Sequence, residues 1–201
     1  MPNIDQILHA IQDIHDQTYA PNDDSFLIID VLSNLPLHDK KVLDIGTGSG
    51  ILGLFCAQNG AHVTVTDVDE IILENVSTAA SELGLEIKTT KSNMFLTIDG
   101  QYDIVLFNPP YLPSNGVEDS TIDGGVHGRM FIDQFFQGLA THLKHDGLAL
   151  LLVSSLNEPH LIIQKHPEYS ITVAARRVLF FEELQALLCR FRGFPSQRLD
   201  R

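Results

Sequence analysis

The sequence predicts an α/β domain: a doubly wound, mostly parallel sheet with helices on both faces and an antiparallel hairpin at one end. Three observations predict it. Strand-like and helix-like segments alternate from about residue 40 onward. The strand-like runs are continuously apolar, the mark of strands buried on both faces. A glycine-rich turn closes the first of them, where such sheets bind ligands. With 201 residues and no repeat, low-complexity tract or linker, the chain is expected to form one domain, with N-terminal helices over 1–36 and the core over 37–201.

The elements run in order along the chain. Helices are expected at about 3–17 and 23–34, parted by "TYAPND". "KKVLDIG" is a short strand ended by glycine, and "GILGLFCAQNG" carries apolar residues at helical spacing up to Asn59-Gly60. "AHVTVTD" reads as strand 2, "DEIILENVSTAASELG" as a helix stopped by Gly84, and "LEIKTT" as a weak strand 3. "YDIVLF" is a strong strand 4, followed by a polar, glycine-rich loop and the helical "GRMFIDQFFQGLATHL". "GLALLLVSS" is strand 5, and "LNEPHLIIQKH" is a helix with Pro159 in its first turn. "YSITVAARRVLF" and "ELQALLCRF" lie close enough in sequence to close the sheet as a hairpin, making seven strands.

The composition, 44% hydrophobic and 19% charged, is that of an ordinary globular protein. No apolar run reaches the ~18–20 residues of a membrane span. The acidic, amphipathic start "MPNIDQILHAIQDIHDQ" fits neither a secretion signal nor a transit peptide. Cys56 and Cys189 are far apart and in no C-x-x-C pair, so neither a structural zinc site nor a disulfide framework is expected, and the cytoplasm is the expected setting. Thirteen Lys and Arg stand against 26 Asp and Glu, a formal charge of −13. A protein that grips nucleic acid needs a basic footprint. The modest basic bias of Arg176-Arg177 and Arg190, Arg192, Arg198 and Arg201 reads as solvated arginines on terminal strands, so free DNA or RNA is disfavoured as substrate.

The candidate chemistry gathers where the strands end. Strand 1 runs into "VLDIGTGSG", where Gly46, Gly48 and Gly50 permit a tight turn and a close ligand approach around Thr47. Alone this turn is a weak signal. Asp44, inside the strand, sharpens it: a carboxylate there repels a pyrophosphate but can hold a cationic, amine-bearing ligand. Strand 2 ends at Asp67-Val68, and an acid at that place can accept both hydroxyls of a ribose. Asp69 is expected to cap the next helix. Strand 4 ends in "NPPY". Pro109-Pro110 cannot continue the strand, and the pair stiffens the backbone beyond it. The Asn108 side-chain oxygen and the Pro109 carbonyl can both accept hydrogen bonds from one planar –NH2, while Tyr111 packs against the flat group. Such a nitrogen is conjugated and poorly nucleophilic, and rigid acceptors orient and polarise it.

Together these residues resemble the class I S-adenosylmethionine-dependent methyltransferases that act on amino nitrogens. More narrowly, three stretches resemble the HemK-like family, which methylates a glutamine side-chain amide in translation release factors. "YAPNDDSFLIIDVL" is similar to that family's Tyr-x-Pro-x-x-Asp-Ser/Thr segment, and the resemblance places Tyr19, Pro21, Asp24 and Ser25 near the methionine end of the cofactor. "NPPYLP" matches the catalytic motif, Asn108 through Tyr111. "DGGVHGRMFIDQFF" resembles the Gly-Gly-x-x-Gly-Arg segment that shapes the substrate side. The motifs span roughly residues 19–137, and the short archaeal and eukaryotic type is the closer match. "KSNMF" departs from the family's Ser-Asp-Leu-Phe: Asn93 stands where an acid meets the adenine amino group, with the Met94 backbone beside the ring, so weaker cofactor binding is expected. The loop "SNGVEDSTI", with Glu118 and Asp119, is hard to align with the family.

The resemblance implies a Rossmann-like fold, S-adenosylmethionine as cofactor, a release factor as acceptor and a small zinc-binding activator subunit against the strand 3 edge, "LEIKTTKS". No strong base is required, and of nine histidines only His127 sits beside a motif; His142, His145, His160 and His166 read as surface or helix-end residues. Three other readings share the scaffold: an N6-adenine or other nucleic-acid methyltransferase, a protein lysine methyltransferase, and a silent cofactor-binding subunit.

Overall fold

The computed structural model describes residues 4–12, 20–114 and 123–192. Five strands, β1 (Lys41–Ile45), β2 (His62–Asp67), β3 (Ile87–Lys91), β4 (Tyr102–Phe107) and β5 (Leu143–Ser154), run parallel. The last two, β6 (Tyr169–Val178) and β7 (Glu183–Phe191), form an antiparallel hairpin whose β7 pairs with β5. The sheet order is β3-β2-β1-β4-β5-β7-β6. From β1 the chain builds outward through β2 to β3, then returns to lay β4 on the other side of β1. The reversal opens a crevice between the carboxyl ends of β1 and β4. The expected class and the closing hairpin are both present.

Among the described residues, six helices cover the sheet: α1 (Ile4–Ala10), α2 (Asp23–Leu32), α3 (Ile51–Gln58), α4 (Glu70–Glu82), α5 (Met130–His142) and α6 (Pro159–Lys165). Alternate strand residues point to opposite faces. Ile104 and Leu106 therefore join the core beneath α1 to α4, while Val105 and Phe107 join the core beneath α5 and α6. Phe135 of α5 anchors the second core. It is fully buried, and its ring lies 5.2 Å from that of Phe107 and 5.6 Å from that of Phe136. None of the described helices is long and apolar enough to cross a membrane.

Three details differ from the expectation. The first helix stops at Ala10, and residues 13–17 of the expected element lie outside the described residues. The expected helix at 156–166 is split: a 3-10 turn spans Ser155–Asn157, Glu158 adopts φ 52°, and α6 starts at Pro159. Proline disfavours a helical residue before it and has no N–H to bond backward, which breaks the helix there. Finally, Arg177 is not a solvated terminal arginine. Its guanidinium bonds Asp23 at 2.9 Å and Asp30 at 3.1 Å, tying β6 to α2.

Phe135→Ala should lower the unfolding free energy by about 3–5 kcal/mol, read from denaturant titration. A loss under about 1 kcal/mol would contradict the placement of this ring at the centre of the second core.

Candidate active site

Ile45 of β1 is paired with Phe107 of β4, so Gly46 and Asn108 leave the sheet side by side. A cavity of about 630 Å³ opens there, room enough for a nucleoside joined to an amino acid. Its wall is built from the turn after β1, the ends of β2 and β3, the "NPPY" segment, the first turn of α2 and the turn between β6 and β7.

The turn after β1 has Gly46 at φ 58° and Gly48 at φ 53°, a left-handed geometry that a side chain would strain. Asp44 lies beneath it, 1% exposed. Its Oδ2 accepts from the Thr47 hydroxyl at 2.6 Å and from the Gly53 amide at 3.1 Å. Burial pushes this carboxyl up to about 7, against the pull of those two donors. Asp67 accepts from the Gly48 amide at 3.2 Å and the Asp69 amide at 3.1 Å, and burial raises its pKa too. The two acids thus hold the turn in shape while each keeps acceptor capacity. Asp69 caps α4, accepting from the Ile71 amide at 2.9 Å. Asp23, Asp24 and Glu182 bring further carboxyls to the wall. This lining repels phosphate and suits a ligand bearing an amine and ribose hydroxyls.

Asn108 supplies the sharpest observation. Its Oδ1 is buried and has no hydrogen-bond partner among the described residues. Leaving such an acceptor unmatched costs about 1–3 kcal/mol, so a site that keeps it is prepared for a donor. The surrounding backbone is fixed from behind. Asn157, fully buried, receives the Ser154 amide at 2.7 Å and donates to the Tyr111 carbonyl at 2.7 Å and the Gly128 carbonyl at 3.2 Å. A side chain at Gly124 would meet the Pro110 carbonyl at 2.7 Å, and one at Gly128 would overlap Tyr111 and Asn157. The Gly-Gly-x-x-Gly-Arg segment therefore packs against the backbone of "NPPY". Its Arg129 bonds the Asn157 carbonyl at 3.2 Å and Glu158 at 2.7 Å.

Of the residues singled out in the sequence, Asp24, Ser25, Asp44, Gly46, Thr47, Gly48, Asp67, Val68, Asn93, Met94 and Asn108 through Tyr111 all line this cavity. Pro21 and Gly50 do not; Gly50, at φ 79°, instead meets Val76 of α4 so closely that a Cβ would sit 2.6 Å from its Cγ1. Tyr19 lies outside the described residues, as do Glu118 and Asp119 of the unaligned loop. His127 is exposed and off the wall. Sequence reasoning missed Ser92, Phe131, Leu179 and Glu182 on the wall, and Asn157 behind it. Ser92 had a signal, since it precedes Asn93 at the end of β3. Leu179 and Glu182 had none within their own segment. They reach the site because Ser154, at the carboxyl end of β5, pairs with Leu184 of β7.

The sequence matches the family described as Methyltransferase small domain over residues 22–176. The chain belongs to this family. It is 32% identical over 185 residues to a provisionally named protein N5-glutamine methyltransferase of Methanocaldococcus jannaschii, covering 87% of this chain and 92% of that one. A release factor glutamine methyltransferase of Gloeobacter violaceus is 28% identical over 160 residues, 71% of this chain and 56% of its own length. A chain from the structure of the E. cuniculi Mtq2–Trm112 complex, responsible for methylation of the eRF1 translation termination factor, superposes with a TM-score of 0.72 at 25% identity, over 87% of this chain and 98% of that one. The methyltransferase resemblance read from the motifs is borne out, and the fold is that of the class I S-adenosylmethionine-dependent enzymes. The residues present fit that cofactor: two buried acids, Asp44 and Asp67, brace the glycine turn, and the orphaned acceptor of Asn108 stands beside them.

The raised carboxyls of this methyltransferase carry a pH signature. Asp44 holds its proton more tightly when folded than at its ordinary 3.8, so folding stability falls as pH rises from about 4 to about 7, and Asp67 adds the same sign. Asp44→Asn keeps an acceptor for Thr47 and Gly53 and removes the ionisation. Urea titrations between about pH 4 and 7 should show a flatter decline in the variant; equal slopes would contradict the buried, raised acid.

Proposed function

We propose that this methyltransferase modifies a planar amino nitrogen, specifically the side-chain amide of a glutamine in a translation release factor. The orphaned Oδ1 of Asn108 carries the proposal. A primary amide has two N–H groups in one plane, matching two fixed acceptors, Asn108 Oδ1 and the Pro109 carbonyl. Accepting both bonds draws density toward the nitrogen and sets its lone pair at right angles to the amide plane, facing the glycine turn. Tyr111 supplies a flat surface for the amide. Asp67 and Val68 would hold the ribose, Asn93 and Met94 would meet the adenine, and Asp44, with Asp24 and Ser25, would serve the methionine end. S-adenosylmethionine held there would supply a sulfonium-activated methyl group for direct displacement by the nitrogen, with a neutral thioether as leaving group and one N–H proton passing to water. That proton becomes acidic once the nitrogen is alkylated, so no side-chain base is needed.

The identity to the M. jannaschii protein and the likeness to the E. cuniculi complex support the glutamine reading. The latter also suggests a partner. In this chain β3 is the edge of the sheet, and an edge strand offers a backbone ladder to an added strand. We place a small zinc-binding activator there. A nucleobase amine would satisfy the same acceptors, and a ribosomal RNA small subunit methyltransferase C of Haemophilus influenzae is 28% identical over 134 residues, 65% of this chain and 38% of its own length. The acidic wall and the charge of −13 favour protein over RNA.

The direct test supplies tritiated S-adenosylmethionine with release factor and with ribosomal RNA in parallel. Label should enter the release factor and vanish when its acceptor glutamine is changed. Asn108→Ala should lower kcat at least about a hundredfold while leaving cofactor affinity within about threefold. Label in RNA, or an Asn108→Ala enzyme with normal turnover, would refute the assignment.

A further inference from the structure

The tip of the β6–β7 hairpin departs from the composition of a tight turn. The Leu179 amide donates to the Glu182 carbonyl at 2.8 Å, closing a turn whose two central residues are Phe180 and Phe181. Such positions favour Asn, Asp and Gly, which tolerate the backbone and stay in water. Here the two rings are 92% and 86% exposed and pack edge to face, with centroids 4.6 Å apart. Val178 beside them is 77% exposed. The neighbouring residues on either side, Leu179 and Glu182, line the active-site cavity. The apolar patch is therefore continuous with the mouth of that cavity rather than a stray surface feature.

Glu182 adds an independent observation. Its Oε2 is buried, and no donor among the described residues reaches it. Among the described residues of the cavity wall, two thus carry orphaned acceptor oxygens, Asn108 Oδ1 just beyond β4 and Glu182 Oε2 from the hairpin. The hairpin is also braced where it meets the site. Arg177 is fixed to Asp23 and Asp30 of α2, and the Glu183 amide donates to the Ser155 hydroxyl at 3.0 Å. A rigid mount lowers the ordering cost of binding, and exposed aromatic rings supply large contact area with few rotors.

We propose that the Leu179–Glu182 turn is the acceptor-recognition element of this enzyme. Phe180 and Phe181 receive an apolar side chain flanking the target residue of a protein acceptor, and Glu182 Oε2 accepts an N–H from the same loop of that acceptor. The occupant is a protein segment: the wall beside it is acidic, and the site already reserves Asn108 for the target nitrogen. This rests on the proposed methylation of a protein and adds how the acceptor is chosen.

The test measures methyl transfer to a recombinant release factor by wild type, by Phe180→Ser/Phe181→Ser, and by Glu182→Ala and Glu182→Gln. The exposed double substitution removes no buried group, so it should leave the melting temperature and the cofactor affinity unchanged. It should raise KM for the release factor at least tenfold with kcat within about twofold. Glu182→Ala should raise KM as well, and Glu182→Gln, which keeps an acceptor oxygen, should recover part of the loss. Wild-type KM in the double variant overturns the proposal. If wild type leaves the release factor unlabelled, the glutamine reading fails by itself, and the same variants are compared on total protein label in a dilute cell extract. A tenfold slower initial rate there upholds the recognition turn; equal rates overturn it. Label in RNA alone, or in neither pool, overturns both.

Discussion

Asn108 Oδ1 is shut from water with no donor among the described residues, and much of the molecule is arranged so that it stays that way. A free loop would turn the amide outward or collapse onto it. Here β4 delivers the residue from the middle of the sheet, and two prolines fix the backbone just beyond it. Asn157 holds the Tyr111 carbonyl from behind, and Gly124 and Gly128 let the next segment close on the same backbone without side chains. The orphan is kept by a frame that offers it no alternative, at a cost that a bound donor returns.

The second constraint is charge. Asp24, Asp44 and Asp67 are each less than a tenth exposed, and all face one cavity. In a dinucleotide site the same glycine turn would face pyrophosphate, which this wall rejects. Asp44 also stitches the fold, since the Thr47 and Gly53 bonds tie the turn to the start of α3. Its titration near neutrality results from burial and links folding to ligand capture: a cationic ligand favours the ionised form that the empty fold disfavours.

The sheet was legible because its strands are continuous apolar runs between glycine stops, and the site because its residues sit at strand ends, where topology gathers them. The "NPPY" tip, Asp44 and Asp67 could each be placed from one local segment. What escaped was set by tertiary pairing. Leu179 and Glu182 are far in sequence from the other motifs and join them only through the antiparallel register of β7 on β5. Asn157 falls inside a helical pattern in the sequence; the break before Pro159 turns it instead toward the "NPPY" backbone. Arg177 looks like a solvated cation in the sequence because its partners lie on α2, at the other end of the chain.

The most direct measurement is a crystal structure of the enzyme with S-adenosylhomocysteine and a glutamine-bearing release factor loop. The glutamine side-chain nitrogen should lie about 2.7–3.2 Å from both Asn108 Oδ1 and the Pro109 carbonyl. A complex in which Asn108 contacts only the cofactor, with the acceptor nitrogen held elsewhere, would contradict the account at its centre.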